Sequence, residues 1–349
     1  MKINFKTLGM IAAGAVIAGG IASCSDSSEE PQASAEGAIS FGAVVPKSSR
    51  AESTTTTSIN SFIVYAFTNG KPYMEGVKVT RSGAKWGYSP VAYWPSTPVN
   101  FYAYSPDISN SPSMGPSTDG QIPDYSNTGS TDLLYAVNMG ETAKASPVLM
   151  NFRHALSRVD VLLSSQNPDI TVKVAHVSLN EVDFRGTFTF PQATTSVTLP
   201  QNVGSWSDLK QPTNILTYYA FEESDFTTLT STPVNLTEGN LEMSFMLPQP
   251  LEELEANGTG YTGNAIQVDC EIFDTATGAK IWPNAATPST QLVSESQCGK
   301  LMFPVTTQTV KEWKIGHAYV YNIQIDNPTV LHPIDFNVTV DEFTLEPTD

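Results

Sequence analysis

The chain has 349 residues, enough for about two ordinary domains. Hydrophobic residues make up 40% and charged residues only 15%, with 23 Gly and 24 Pro, a mixture that suits a turn-rich, extracellular all-β protein better than a helical one. Lys and Arg number 18 against 35 Asp and Glu, a formal charge of −17. Phosphate backbones repel such a chain, which excludes nucleic acid as a partner.

The amino terminus reads as an address. Lys2 and Lys6 precede an apolar, Gly- and Ala-rich run from Leu8 to Ala22 that closes with Ile21-Ala22-Ser23-Cys24. The run is too short and small-sided for a membrane span and suits a secretory signal over residues 1–23. Small residues directly before a cysteine resemble the bacterial lipobox, which would make Cys24 a diacylated mature amino terminus. No later stretch approaches a membrane span, so that lipid is the one anchor to the outer membrane the sequence suggests. The polar, acidic residues Ser25 to Pro31 form a flexible tether, and an acidic stretch at this place is similar to the surface-export signal of Bacteroidetes lipoproteins. Cleavage before Cys24 leaves 326 residues with a formal charge of −19.

Beyond the tether the chain is predicted to be strand after strand. Residues 59–67, 99–104, 159–163, 170–177, 186–190, 241–247, 266–272 and 317–325 are short β-branched or aromatic runs. Turn clusters such as Ser105-Pro106-Asp107, Asn127-Thr128-Gly129 and Asn257-Gly258 separate them. Residues 107–131, rich in Ser, Pro, Gly and Asn, read as a surface loop or linker, and residues 250–256 as one or two helical turns. Regular short strands over this length imply two tandem antiparallel β-sandwiches. The expected division is a tether and propeptide at 24–50, an amino-terminal sandwich at 51–157 and a carboxyl-terminal sandwich at 158–349.

Several segments resemble the fimbrillin-like lipoproteins of Bacteroidetes, subunits of the type V pilus. They are Ser61-Phe62-Ile63-Val64-Tyr65-Ala66-Phe67, Tyr93-Trp94-Pro95 with Asn100-Phe101-Tyr102-Ala103-Tyr104, Leu133-Leu134-Tyr135-Ala136, residues 151–159, and residues 313–321. Each is a common aromatic strand motif, and their order is the specific part. The resemblance implies two transthyretin-like sandwiches, lipoprotein export, and polymerisation by strand exchange after a trypsin-like, arginine-specific protease cuts the chain. Its partners would be other pilus subunits; the host protein or glycan bound is not given by the sequence.

The strand-exchange expectation maps onto particular residues. Arg50-Ala51 lies in a polar stretch that matches the family's cleavage position. Upstream, Ile39, Phe41, Ala43 and Val45 alternate on one face of a short strand; near the carboxyl terminus, Ile334, Phe336, Val338 and Val340 do the same. The two read Ile-x-Phe-x-Ala-x-Val and Ile-x-Phe-x-Val-x-Val, nearly the same knobs for one groove. The alternation slips at Asp341-Glu342 and resumes at Phe343 and Leu345, which fits a bulge or a second short strand. The first strand would fill a groove until it is cut away, and the last strand of a neighbour would replace it.

Other features have plainer readings. Cys270 and Cys298 either close a disulfide around about 28 residues, worth roughly 3 kcal/mol, or stay as two buried thiols. The aromatic group Trp86, Tyr88, Tyr93, Trp94, Phe101, Tyr102 and Tyr104 reads as sandwich core, with a sugar-stacking platform as the alternative. His154, His176, His317 and His332 lack ligand spacing, so no metal or cofactor is expected. No nucleophile elbow, Cys/His pair or phosphate loop is present, and no enzyme is expected. Asp274-Thr275-Ala276 resembles a short bacterial O-glycosylation motif. The leading expectation is a structural shaft subunit with a role in adhesion; the alternatives are a pilus tip adhesin, a surface glycan-binding lipoprotein or, last, a secreted hydrolase.

Overall fold

The computed structural model describes residues 37–44, 59–108, 120–196, 198–211, 216–220, 226–236, 244–257, 260–293, 297–326 and 336–342. The chain is all-β: every regular element among these residues is a strand, apart from one short 3-10 turn at Ser289–Gln291.

A six-stranded antiparallel sheet organises the amino-terminal half. Its strands, in spatial order, are Lys85–Gly87, Lys71–Ser82, Ser61–Thr68, Val99–Ser105, Leu134–Glu141 and Arg153–His154. The first long hairpin turns at Asn69 and Gly70, which both take positive φ, 51° and 71°; Asn-Gly is the preferred pair for a turn whose twist matches the strands it joins. Side chains alternate across the sheet. Phe62, Val64, Ala66, Phe101, Ala103, Leu134 and Ala136 enter one core, while Ile63, Phe67, Tyr102, Tyr104, Tyr135 and Val137 enter another. Both faces are therefore covered, which is why these strands read as near-continuous apolar runs rather than as a polar-apolar alternation.

The two covers come from different places. One face is closed by Phe41–Val44 running parallel to Val148–Asn151. The other is closed by a three-stranded sheet of Gln121–Ser126, Arg185–Thr189 and Ser205–Lys210, which brings Ile122, Phe188 and Phe190 onto it. That small sheet joins a strand from before residue 157 to two from after it. Its Gln121–Ser126 strand lies inside the stretch expected to be loop or linker; residues 109–119 of that stretch are outside the described set.

In the carboxyl-terminal half, two sheets enclose a separate core. Ser157–Ser164 pairs in parallel with His317–Gln324, which in turn pairs antiparallel with Phe336–Glu342. A parallel pair needs a long crossover, and here the whole facing sheet lies between its partners in sequence. The long strands of that sheet are Ile170–Asn180 and Ala265–Asp274, with Gly299–Pro304 and Lys280–Trp282 both pairing with the second. Val159, Val161 and Leu163 meet Val172, Val174, Val268, Ile272, Tyr319 and Tyr321 between the sheets. Trp313 and Tyr321, from the 313–321 segment, are buried there, the indole N–H donating to the Tyr321 hydroxyl at 2.9 Å and that hydroxyl donating to Val305 O at 2.9 Å.

Residues 250–256 do not form the expected helical turns. Their backbone is drawn out by neighbours: Leu251 N–H donates to Lys311 O at 2.9 Å, and Glu252 N–H to the Asn264 side-chain oxygen at 2.6 Å. Tertiary hydrogen bonds outweigh a weak local helix preference. Of residues 241–247, Phe245–Met246 is a strand and 241–243 lie outside the described set.

Gly299 gives a test of the carboxyl-terminal core. A Cβ placed there would lie 2.2 Å from the Trp282 ring, which is itself buried. Rigid overpacking costs about 1–3 kcal/mol, so Gly299→Ala should lower the urea midpoint and shift tryptophan fluorescence. Gly278→Ala, at an open turn position with φ 69°, is the control: it carries backbone strain without a clash.

Candidate functional site

The candidate site is the slot occupied by the amino-terminal strand. On one side Ile39 N–H donates to Ala92 O at 2.9 Å and Trp94 N–H to Gly37 O at 2.8 Å. On the other, Val148 N–H donates to Ser40 O and Phe152 N–H to Val44 O, both at 2.8 Å. The segment thus switches edges along its length, held first by residues 92–94 and then by residues 148–152. The Tyr88 hydroxyl fastens the crossing point by donating to Ile39 O at 2.7 Å.

Beneath the backbone, the side chains fill an apolar trough. Ile39 is 2% and Phe41 4% exposed. The Phe41 ring meets Phe62, Tyr88 and Phe101 edge-on, with centroids 6.2, 5.4 and 5.7 Å away, the arrangement ring quadrupoles favour. Ala43 is half-buried against the same core, with Met150 opposite it in register. Gly42 passes where a Cβ would lie 2.9 Å from the end of Leu149, a side chain that is 53% exposed. Burying Ile39 and Phe41 contributes about 1.5–3 kcal/mol each, so the strand supplies a large share of the cover on this face.

Other expected site residues fall in separate places. Val45, Arg50 and Ala51 lie outside the described residues, as do Cys24, Ile334, Phe343 and Leu345. Phe336, Val338 and Val340 stand in register with Ile323, Tyr321 and Tyr319 on the Phe336–Glu342 strand. That strand ends the sheet order of its own half. Cys270 and Cys298 are buried thiols with no disulfide between them; Cys270 stands opposite Gly299, and burial pushes its pKa well up, with Cys298 adding to the effect.

The aromatic group is mainly core. Phe101, Tyr102 and Tyr104 are buried, Trp86, Tyr88 and Trp94 pack partly buried against the slot's core, and Tyr93 is 52% exposed. His154 sits 3.0 Å from Asp132, both buried, a pair that ties a strand to the loop before Leu134–Glu141, and His176 sits 3.1 Å from Asp269 on the neighbouring strand. Among the described residues no group of three or more His, Cys, Asp or Glu side chains is placed to hold a metal ion.

Sequence reasoning did not find the slot's walls. Tyr88, Ala92, Leu149 and Met150 carry no motif that marks them as strand partners; their role comes from bringing residues 92 and 148 to either side of residue 40.

The fold is a β-sandwich in which one face of a doubly covered sheet is closed by residues 148–152 and one short strand beside them. Residues 49–342 match the model of the family described as fimbrillin-like, and the chain belongs to that family. It is thus a fimbrial subunit of a structural rather than catalytic family. Similar solved structures include a fimbrial protein from Bacteroides vulgatus, at 13% identity, covering 87% of this chain and 99% of that one with a TM-score of 0.48. A fimbrilin from Porphyromonas gingivalis shares 10% identity over 87% of this chain and 96% of its own, with a TM-score of 0.44. The tip fimbrial protein Mfa3 of Porphyromonas gingivalis shares 11% over 81% and 93%, with a TM-score of 0.38. No curated protein sequence matches the chain.

The trough's dependence on Phe41 is directly measurable. Phe41→Ala should destabilise the slot's core by about 3–5 kcal/mol, the range for buried Phe truncations, read as a lower urea midpoint with Trp86 and Trp94 as reporters. Leu149→Ala, at an exposed position on the same rim, should change stability by no more than about 0.5 kcal/mol.

Proposed function

We propose that the protein is a shaft subunit of a surface fimbria. It is carried to the outer membrane by a lipid on Cys24, cut after Arg50 by an arginine-specific protease, and joined to its neighbour by its carboxyl-terminal strand. The observation that carries this reading is the slot, in which a short terminal strand buries Ile39 and Phe41 in a core built by later segments. The segment holding Arg50 lies between that strand and Ile59, where the body of the sandwich resumes.

Covalent attachment is what keeps such a strand in place. A tethered segment acts at an effective concentration of about millimolar or higher. Once cut, it becomes a separate peptide that dilutes away when it leaves. Its departure opens an apolar trough with unpaired main-chain groups on both rims, a costly surface to leave in water. The neighbour's Ile334-x-Phe336-x-Val338-x-Val340 pattern supplies the knobs that the trough loses.

The exchange is favourable at two points. Val338 in the place of Ala43 adds about 1–2 kcal/mol of apolar burial, at ~0.8 kcal/mol per methylene. In its own subunit, Phe336–Glu342 pairs with His317–Gln324 alone among the described strands, so withdrawing it breaks one ladder rather than two. Asn337 would take the place of Gly42, and there the exposed end of Leu149 can swing aside.

The test is protease-triggered assembly of the soluble chain from Ser25 onward. Wild type should be cut once, early, after Arg50 and then form SDS-resistant ladders. Arg50→Ala should stay uncut and monomeric, and deletion of residues 334–349 should give a cut monomer. Ladders from either variant overturn the reading. Ala43→Val, which strengthens the resident strand, should slow ladder formation by about tenfold, the factor that 1.4 kcal/mol provides.

A further inference from the structure

The charge of the chain is divided very unevenly. Residues 51–157 carry 6 cationic and 7 acidic side chains, a net of −1, whereas residues 158–349 carry 8 against 24, a net of −16. Within the first half, four of the six cations, Lys71, Lys78, Arg81 and Lys85, come from one hairpin, Lys71–Ser82 with Lys85–Gly87. Glu75 is the only acidic residue among residues 71–87. Lys71, Lys78 and Lys85 are exposed. Lys78 also reaches Asp107 at 3.2 Å, and Arg81 lies 6.0 Å from the centre of the Trp86 ring.

This hairpin forms the outer edge of the six-stranded sheet and borders the slot. Trp86 packs on Phe62 at 5.0 Å, and Phe62 packs on Phe41. The Tyr73 hydroxyl donates to Tyr93 O, and Tyr93 bridges to Ala38 at the slot's entrance. Tyr73, Val91 and Tyr93 are 36%, 51% and 52% exposed, three of the seven large apolar side chains left in water among the described residues. Lys71 stands at one end of the hairpin, two residues from Tyr73, and Lys85 at the other end, opposite Ser82; an exposed aromatic and aliphatic group on a cationic hairpin has the composition of a binding face rather than of an ordinary sheet edge.

We infer that this hairpin, with Val91 and Tyr93, is a docking surface for the acidic carboxyl-terminal half of a second copy of the chain. A filament requires two different patches that meet head to tail without closing, and the two halves supply opposite local charge. Contact between two carboxyl-terminal halves would place net charges of −16 against each other, so the asymmetry also disfavours the reversed arrangement. Repulsion between the distant acidic halves is screened beyond about 10 Å at 0.1 M salt, while contacts at the hairpin are closer than that. The surface would hold and orient the copy whose strand enters the slot, so its place in assembly rests on the fimbrial reading above. The electrostatic contact itself does not need the exchange.

Two measurements separate these. Zero-length carbodiimide coupling of concentrated, uncut protein joins a lysine to a carboxylate only where they touch. Peptide mapping of the coupled dimers should find Lys71 or Lys85 linked to carboxylates from residues 158–349. In the protease-triggered assay at 0.1 M NaCl, Lys71→Glu with Lys85→Glu should slow ladder formation by about fivefold or more, as reversed steering charges do. Lys71→Arg with Lys85→Arg, which keeps the charge, should match wild type. Equal rates for wild type and the Glu variant, or intermolecular links that bypass Lys71 and Lys85, overturn the docking surface. If the cut wild type stays monomeric, strand exchange fails and the coupling map alone decides the docking surface.

Discussion

A sheet with apolar side chains on both faces has to be covered twice, and much of this molecule's architecture follows from that demand. The strands at 61–68, 99–105 and 134–141 send alternate residues to opposite sides with little polar relief on either. One face is met by a three-stranded sheet whose strands come from both halves of the chain. The other is met by residues 148–152 and by a terminal segment of a few residues that slots in beside them. A core that depends on so short a piece is stable with it and exposed without it.

Main-chain and side-chain interactions divide the work at this slot. The rims at 92–94 and 148–152 offer hydrogen bonds to any extended backbone, each worth about 1 kcal/mol net. Discrimination falls to the trough, where Phe62, Tyr88 and Phe101 surround one ring position. A strand lacking an aromatic at that place would leave a cavity. Charge is divided along the chain as well: the near-neutral half carries the slot and the cationic hairpin, and the acidic half carries the Phe336–Glu342 strand.

Strand content was legible because short β-branched and aromatic runs are separated by turn residues. Residues 62–67 and 101–104 are apolar or aromatic throughout, and the structure sends their odd and even positions to different cores. The Asn69-Gly70 turn was equally local, since those two residue types tolerate positive φ. Where the sequence misled, a distant partner had overridden a local preference. Residues 250–256 look like helical turns until Lys311 and Asn264 take their amide hydrogens. Gln121–Ser126 sits in a Pro-, Ser- and Gly-rich stretch and becomes a strand because Arg185–Thr189 arrives beside it.

Period-two patterning, a turn pair that accepts positive φ and the paired Ile-x-Phe-x-Ala and Ile-x-Phe-x-Val segments are properties of neighbouring residues. The sequence by itself therefore determined an all-β chain with matched terminal strands and an acidic second half. Which residues wall the slot was decided only by tertiary structure, because Tyr88, Ala92, Leu149 and Met150 become neighbours of residues 39–43 through sheet register. The same holds for the sheet that covers the other face, which joins residues 121–126 to residues 185–189. The placing of Trp86 and Tyr73 beside that slot is likewise a product of packing, set by Trp86 resting on Phe62 and Tyr73 reaching Tyr93. Contacts between residues far apart in the chain carry no local signal, since their energy appears only when the chain has closed the loop between them.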